Sequence, residues 1–504
     1  RPNFRVQSDY EINMHHSVSA TLQSNLNYFD NFTTTRYTNL NRNRDIYRLS
    51  TRENASDGNG YNNSATFSYT YRGKNLAERL QVIANANTGK NDNGRDFFQA
   101  FLQPDFTPTG IDSTQIQGID NYSKAFSVKA DYTKPLSKNL SLTAGASYYK
   151  TNNHNILNTE FLRKQDTTLV LNDILSSNFR FEQNISTIRA AISYKLGKDW
   201  RVTAGVGSET TTNSFEFIKG NAADVSSTYS NILPNFTLRK DFTRTINTAL
   251  VYRKSIRRPG IGELNPAIDY ADPYNVRFGN PYLSPSLADN FDWNLGLGKG
   301  KYYINASIGY NRVKDIYKTI RTLIESGKTQ TTYMNISSRQ EYETSIFGGY
   351  TFSRKLRMNA SAGYTYNQYS EQDIKLFNYR NGSTFYTSVN YSYNPSTLTT
   401  LDGNARFSSF ADPQGRARSN LTMNLGIQHK FFNKRLIVSF NAIDPFTAQK
   451  FVTYTYGAKF TSENYNSTRT RNFRIAVSYQ LNKVAQKSNL SDKQKKELLK
   501  KVQK

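Results

Sequence analysis

The chain contains no cysteine and only four histidines in 504 residues. The absence of cysteine excludes disulfide scaffolds, thiolate zinc sites and cysteine nucleophiles. No apolar run approaches the ~18 residues of a transmembrane helix. The histidines form no HExxH or His-x-His pattern, and His154 has no aspartate beside it in the sequence. We therefore expect no catalytic residue, no metal site, no cofactor and no enzyme activity.

The chain is basic and rich in aromatic residues, yet polar overall. It has 65 Lys and Arg against 39 Asp and Glu, a net charge of +26, and 13% aromatic residues. Its mean hydropathy is −0.69. A disordered chain would be poor in aromatics, and a nucleic-acid-binding protein would concentrate its basic residues on one face. Here they are spread along the chain, so we expect no nucleic-acid partner.

Apolar and polar residues alternate with a period of two over most of the chain. Alternation places one apolar row and one polar row on opposite faces of a strand. It is clear at 140–149, 200–207, 302–311 and 473–481, and in the apolar row Leu356, Met358, Ala360, Ala362, Tyr364 and Tyr366. We predict strands of about 10–13 residues, longer than the ~5–6 of soluble sheets and long enough to cross a bilayer.

A soluble sandwich would also alternate, but two further features favour a membrane barrel. The apolar rows begin or end on Tyr, Phe or Trp, as aromatic girdles do. Short turns also alternate with long polar segments, the pattern of periplasmic turns and extracellular loops. The turns are at 14–16, 73–75, 135–139, 196–199, 241–244, 298–300, 353–354, 394–396 and 432–434. The segments are 29–62, 89–120, 151–176, 211–225, 257–287, 312–336, 368–382, 408–416 and 447–466.

The fold class is therefore all-β, a large transmembrane antiparallel β-barrel. Nine hairpins and a final strand at 471–481 give about 19 strands. Bacterial single-chain barrels have an even number, and the first strand runs towards the periplasm, so an odd number of strands is missing from the count. Three more give 22, the size of plugged transporter barrels, and one more gives 20. Since the chain starts at Arg1 rather than Met, we expect it to be part of a longer precursor.

A block of motifs at 231–295 is similar to a known family. It contains ILP at 232–234, YRKSIRRP at 252–259, LNP at 264–266, DPY at 272–274, GNPYLSP at 279–285 and DNF at 289–291; DPF follows at 444–446. The block resembles the Bacteroidota outer-membrane β-barrel family, relatives of TonB-dependent receptors. The resemblance implies an outer-membrane importer of a scarce nutrient, with a plug domain from the same precursor and TonB as partners.

The proline- and glycine-rich part of this block cannot continue a strand ladder, so we expect a shaped extracellular loop. Seven charged or aromatic residues in it form a candidate ligand cluster. They are Arg257, Arg258, Asp269, Tyr270, Asp272, Tyr274 and Arg277. The other interpretation is structural, with Asp and Arg folding the loop onto itself.

The C-terminal region divides the chain into two parts. Residues 1–482 form the barrel, and its last strand carries a row that we expect to close and assemble the barrel: Phe473, Ile475, Val477, Tyr479 and Leu481. Residues 483–504 carry eight Lys, one Asp and one Glu and form a basic periplasmic tail, for which we predict a short C-terminal helix.

Three functions stay open at this point. The first is an importer barrel. The second is a passive porin or structural barrel. The third is a surface-binding barrel that partners a lipoprotein. In each, we expect basic side chains at strand ends to meet lipopolysaccharide phosphates and other outer-membrane lipid.

Overall fold

The computed structural model describes residues 2–480, except 42, 76, 220–222, 270–271, 326–327, 371–379, 420, 447–448, 458 and 469. The first half of the chain forms β1 Asn3–Glu11, β2 His16–Leu40, β3 Ile46–Arg72, β4 Arg79–Leu102, β5 Pro108–Pro135, β6 Leu140–Arg163, β7 Thr168–Leu171, β8 Ser177–Leu196, β9 Trp200–Lys219, β10 Val225–Asp241 and β11 Ile246–Arg257.

A four-residue helix, α1 Ile261–Leu264, separates these strands from the second half. The described part of the chain thus has no helix long enough to cross a bilayer. The remaining strands are β12 Asn275–Arg277, β13 Ser286–Lys299, β14 Tyr302–Glu325, β15 Lys328–Thr351, β16 Leu356–Tyr369, β17 Gly382–Tyr393, β18 Thr399–Asp412, β19 Gly415–Ser419, β20 Thr422–Phe431, β21 Leu436–Ile443, β22 Gln449–Tyr456, β23 Thr461–Thr468 and β24 Asn472–Tyr479.

Most strands form one antiparallel wall in which each pairs with its neighbour in the chain. Five of the 24 strands lie outside this wall, β7, β12, β19, β22 and β23, which leaves 19. The prediction of about 19 barrel strands is confirmed. Nine short connections join alternate pairs at one end of the wall, the turn end. The other nine connections, with the five extra strands, lie at the other end, the loop end.

The two edge strands of the wall are open within the described residues. There, β1 pairs only with β2, and β24 pairs only with β21. Phe473, Ile475, Val477 and Tyr479 are all more than half exposed, whereas Leu481 and the whole tail 483–504 lie outside the described residues. The roles of this row in closure, the total strand count, the domain boundary at 482 and the tail helix remain predictions.

The prediction of 10–13-residue strands is wrong for many strands of the wall. Strands β2 to β6, β14 and β15 have 24 to 28 residues each, and β8 and β9 have 20 each. Most of the residues in the predicted long loops 29–62, 89–120, 151–176, 211–225 and 312–336 are therefore paired strand. The period-two signal is lost there because both faces are polar once a strand leaves the bilayer. Backbone pairing does not require an apolar face, so the ladder continues without it.

A belt of outward apolar residues lies next to the turn end. On β6 its row begins at Leu140 and ends at Tyr148, and on β14 it begins at Tyr302 and ends at Tyr310. Ile192 and Ile308 of this belt are 51% and 55% exposed. The residues of opposite parity face the lumen, where Arg189 pairs with Asp131. The belt thus presents apolar side chains outwards with no protein covering them.

Candidate functional site

One long connection, residues 258–285 between β11 and β13, is folded against the lumen side of the wall; we call it the mouth loop. It opens with the helix α1, where Gly260 donates its backbone N–H to Glu263 Oε2 at 2.8 Å. Arg257 donates to the other oxygen of the same carboxylate at 3.1 Å. The charged residues at its start therefore bind one another.

Gly279 allows the two halves of the mouth loop to lie in backbone contact. Its N–H donates to the Asn265 carbonyl at 2.6 Å. A Cβ at this position would lie 2.5 Å from that oxygen and 2.7 Å from the Glu263 carbonyl. Both obstacles are backbone atoms, so no side chain can move aside. This close approach explains the glycine of the GNPYLSP run.

An apolar cluster fixes the mouth loop to one side of the barrel. Leu264 and Leu283 of the loop pack with Phe179 and Phe215 of β8 and β9 and with Tyr317 of β14. All five side chains are at most 5% exposed. Burying a side chain of this kind contributes about 1.5–3 kcal/mol. The cluster therefore holds the loop firmly against this side.

A charged contact lies beside this cluster. Arg258 forms an ion pair with Glu209 of β9, whose side chain is only 9% exposed. Tyr317 donates its hydroxyl to the Arg258 carbonyl at 2.9 Å. The guanidinium of Arg257 lies 4.8 Å from the Tyr317 ring centroid. Arg257 and Arg258 of the candidate ligand cluster thus both contact protein groups beside the apolar cluster.

The far end of the mouth loop touches the wall at β2, β3 and β4. Tyr274 is 5% exposed and packs on Tyr37 of β2 with the ring centroids 5.0 Å apart. Asp269 forms an ion pair with Arg95 of β4 at 3.8 Å. In the pairing order of the wall, β2 to β4 are far from β11 and β14. The mouth loop therefore crosses the lumen at the loop end.

A third attachment joins the mouth loop to β15. Strand β12 pairs in parallel with Thr329–Thr331. Asn280 donates its side-chain N–H to the Tyr333 carbonyl at 3.0 Å, and Asn335 Nδ2 donates to the Ser284 carbonyl at 3.0 Å. Attachment at three positions makes the loop a fixed bridge across the lumen.

The structure separates the predicted ligand cluster into two groups. Arg257 and Arg258 lie beside β9 and β14, whereas Asp269, Asp272, Tyr274 and Arg277 lie at or near the far end; Tyr270 is outside the described residues. Asp269 and Arg277 form a backbone bridge with an N···O distance of 2.7 Å, and Asp272 accepts from the backbone N–H of Tyr274 at 3.0 Å. Arg277 is exposed. Each described residue except the exposed Arg277 side chain thus contacts the fold, and the ligand-binding role of the cluster stays a prediction.

A cavity of about 610 Å³ lies between the far end of the mouth loop and the inner wall. This volume falls within the ~300–1,000 Å³ of ligand sites. Of the six predicted residues that the structure describes, only Tyr274 lines it. Its charged lining residues are Arg48, Arg52 and Lys328, its amides are Gln99 and Gln115, and its aromatic residues are Tyr47, Phe101, Phe161 and Tyr274. The three cations of this lining favour an anionic guest.

Two arginines of β3 line this cavity, which we call the mouth cavity. Arg48 is half-buried, with its guanidinium carbon 5.7 Å from the Tyr47 ring centroid and 5.6 Å from that of Tyr274. Arg52 is 4% exposed and donates to Gln99 Oε1 at 3.0 Å and Gln115 Oε1 at 2.9 Å. Arg52 is thus fixed in the wall of the cavity, whereas Arg48 is partly exposed beside the two rings. Neither arginine was predicted as a site residue, because both lie in the segment predicted as loop 29–62.

The four histidines bind neutral groups. His15 Nδ1 lies 2.7 Å from the Arg72 carbonyl, and His16 Nδ1 lies 2.7 Å from the Tyr69 hydroxyl. His154 Nε2 lies 2.8 Å from Asn178 Oδ1, and His429 Nδ1 lies 2.9 Å from Thr399 Oγ1. Within the described residues, no three His, Cys, Asp or Glu side chains are placed to hold a metal ion.

The barrel is similar to solved outer-membrane receptors and transporters. Copper transporter OprC matches with a TM-score of 0.57 at 10% identity, over 95% of this chain and 80% of that one. The siderophore receptor PiuA from Acinetobacter baumannii matches with 0.55 at 11% identity, over 95% and 79%. BauA, the ferric preacinetobactin receptor from the same species, gives 0.54 at 11%, over 95% and 77%. At these identities the likeness shows a shared fold.

No curated protein matches the sequence. The model of the outer membrane protein beta-barrel family, however, matches residues 71–479, which is most of the chain. The wall of 19 antiparallel strands and its outward apolar belt agree with this family match. The protein is thus a multi-pass β-barrel of the outer membrane, and the chain belongs to the outer membrane protein beta-barrel family.

Proposed function

We propose that the chain is the barrel of a TonB-dependent receptor-like importer that takes up a scarce, anionic nutrient. One observation carries this proposal: a fixed loop crosses the lumen and leaves a cationic, aromatic cavity at the mouth. An importer needs a site that holds a dilute solute at the entrance.

The chemistry of the mouth cavity indicates the class of solute. Arg48 provides donors that suit carboxylate or phosphate oxygens. Tyr47, Tyr274 and Phe161 provide flat apolar surfaces beside them. Arg48 already contacts two of these rings, so a planar anionic group placed there gains both an ion pair and stacking. The protein has a binding role in this proposal and no enzymatic one.

The partners in this proposal follow from the import mechanism. A plug domain from the same precursor would close the lumen, and TonB would supply energy through it. A surface lipoprotein would cover the mouth. The Bacteroidota lineage indicated by the motif block is also part of the proposal. The alternatives are a passive porin or structural barrel, and a surface-binding barrel that partners a lipoprotein.

Competitive growth tests the import proposal. A deletion strain and its parent are grown together in media limited in iron, copper, cobalamin or glycan, one at a time. We expect a fitness defect in one medium, and an equal defect in a strain that lacks TonB. Growth without a defect in every medium, together with steady ion conductance of the purified protein in planar bilayers, would establish the porin alternative instead.

A matched pair of variants assigns the defect to the mouth cavity. Arg48→Glu reverses a charge in the cavity, and we expect it to fail to restore growth. Arg244→Glu makes the same change in an exposed turn at the other end of the barrel, and it should restore growth fully. Surface labelling of a tag shows that both variants reach the outer membrane. Equal growth of the two complemented strains would remove the mouth cavity from the uptake mechanism.

A further inference from the structure

A second cavity, of about 600 Å³, lies on the outside of the barrel. Strands β5, β6 and β8 form it, and its polar lining consists of Tyr122, Lys124, Lys150, Asn152, His154 and Arg180. Its strands pair so that Lys124 is opposite Asn152 and His154 is opposite Arg180. We call it the outer-rim cavity; it shares no lining residue with the mouth cavity.

Side-chain parity places this cavity on the lipid-facing surface. Lys124 has the same parity as Phe126 and Tyr132 of β5, and Lys150 has the same parity as Leu142 and Tyr148 of β6. Those apolar residues belong to the belt. The opposite parity carries the buried lumen-side residues of the same strands, Gln115, Gln117 and Thr159. The outer-rim cavity is therefore continuous with the membrane-facing surface.

The order of residues along each strand shows how far the outer-rim cavity lies from the turn end. On β6, Lys150 is the first outward residue after the aromatic Tyr148 on the way from the turn end. On β5, Lys124 follows Phe126 in the same way. A belt about 25 Å tall ends at its aromatic girdle. The two lysines therefore lie where acyl chains end and headgroups begin.

The acidic residues around the cavity leave cationic groups available. Lys150 pairs with Glu182 at 2.9 Å and Arg180 pairs with Glu216 at 3.4 Å. Each side chain in these pairs is at least 35% exposed, and exposed pairs contribute only about 0–1 kcal/mol. Lys124 forms no ion pair with any described residue. A multiply charged guest can therefore displace the weak pairs and bind Lys124 directly.

We infer that the outer-rim cavity binds the phosphorylated sugar headgroup of one lipopolysaccharide molecule. Its acyl chains would lie along the belt of β5, β6 and β8, with a phosphate on Lys124 and Lys150. Tyr122 and Asn152 offer a ring face and an amide to the sugar. The site rests on the membrane position of the barrel and is independent of the proposed import function. The basic side chains of the cavity match the phosphate charges, and the apolar belt below them matches the acyl chains. Lipopolysaccharide is the occupant that fits both.

Lipid counting tests the assignment. The full-length protein is reconstituted into nanodiscs of phosphatidylethanolamine with bis-phosphorylated lipid A, and native mass spectrometry counts the lipid A retained. The variant Lys124→Gln/Lys150→Gln should lose retention by about tenfold or more, since it removes two charge-assisted bonds. The control Arg312→Gln/Lys314→Gln removes the same charge from exposed positions on β14, and it should retain lipid A as the wild type does.

Two further arms separate headgroup recognition from other causes. Dephosphorylated lipid A should be retained as poorly by the wild type as intact lipid A is by the cavity variant. Inorganic phosphate at millimolar concentration should not displace the lipid. Heat-modifiable migration establishes that each variant is folded. Equal loss in both variants, retention by the folded cavity variant, or equal retention of the dephosphorylated lipid would overturn the assignment.

Discussion

The mouth and the belt of this barrel are built from the same strands, but different partners cover their side chains. At the mouth, Phe179, Phe215 and Tyr317 are at most 2% exposed, because the mouth loop packs on them. In the belt, Ile192 is 51% exposed and Arg189, facing the lumen, has a side chain that is 49% exposed. The mouth thus has a packed core of its own, whereas the belt depends on lipid for its apolar face.

Substitutions in the belt and at the mouth should therefore affect different properties of the protein. A charge placed in the belt meets hydrocarbon and affects insertion. A change at the mouth disrupts protein packing and affects the loop, while the belt stays inserted. Four expected outcomes, in order of decreasing effect, test this separation.

Ala306→Arg places a charge at the centre of the belt on β14. We expect it to cost about 2–4 kcal/mol, the range for a cation at the bilayer midplane. Urea titration of the protein folded into lipid vesicles measures the free energy of unfolding. The neighbouring Asn305→Arg faces the lumen, so it should cost far less. Equal costs at the two positions would contradict the assignment of the faces.

Arg258→Gln removes the partner of a carboxylate that is only 9% exposed, Glu209. We expect a cost of about 3 kcal/mol, since it leaves a buried charge unpaired. Arg257→Gln is the control, because that side chain is 64% exposed and should cost below about 1 kcal/mol. Both are measured by the same urea titration. Adding Glu209→Gln to Arg258→Gln should recover part of the loss, and no recovery would argue against a charge effect.

Gly279→Ala inserts a Cβ where backbone atoms lie 2.5 Å away. Separating the two halves of the mouth loop should cost about 1–3 kcal/mol, as overpacking does. Trypsin should then cleave the loop faster after Arg277, with the barrel still folded. Gly262→Ala is the matched control, since no atom lies within 4 Å of its added Cβ. Unchanged cleavage in Gly279→Ala would mean that the contact is unimportant.

Tyr37→Phe tests the far end of the mouth loop through pH. Tyr37 lies beyond the belt, and burial, followed by the Asp272 carboxylate, raises the pKa of its phenol above the ordinary 10.0. A raised pKa in the folded state contributes stability that is present below pH ~10 and is lost as the pH rises further. We expect alkaline pH to accelerate tryptic cleavage of the mouth loop in the wild type, and less so in Tyr37→Phe. An identical pH profile in the two proteins would exclude this phenol.

The belt and the strand count were predictable from the sequence because, within the bilayer, the face of the strand decides whether a residue is apolar or polar. Each outward residue of a crossing strand must be apolar and each inward one is polar, so rows such as Leu140 to Tyr148 identify the strands and their turns. The same reasoning fails above the belt. There, residues of both parities are mostly polar, and the upper halves of β2 to β6, β14 and β15 were predicted as loops.

The candidate site shows the same division. The prolines and glycines of the motif block predicted a shaped loop, and Gly279 shows why one of those glycines is needed. The sequence did not predict that Tyr274 would meet Tyr37 and Arg48, residues more than 200 positions earlier. The barrel could be predicted from the residues alone, because alternation is a local property of each strand. The mouth cavity could not, because it forms where strands distant in the chain meet one loop.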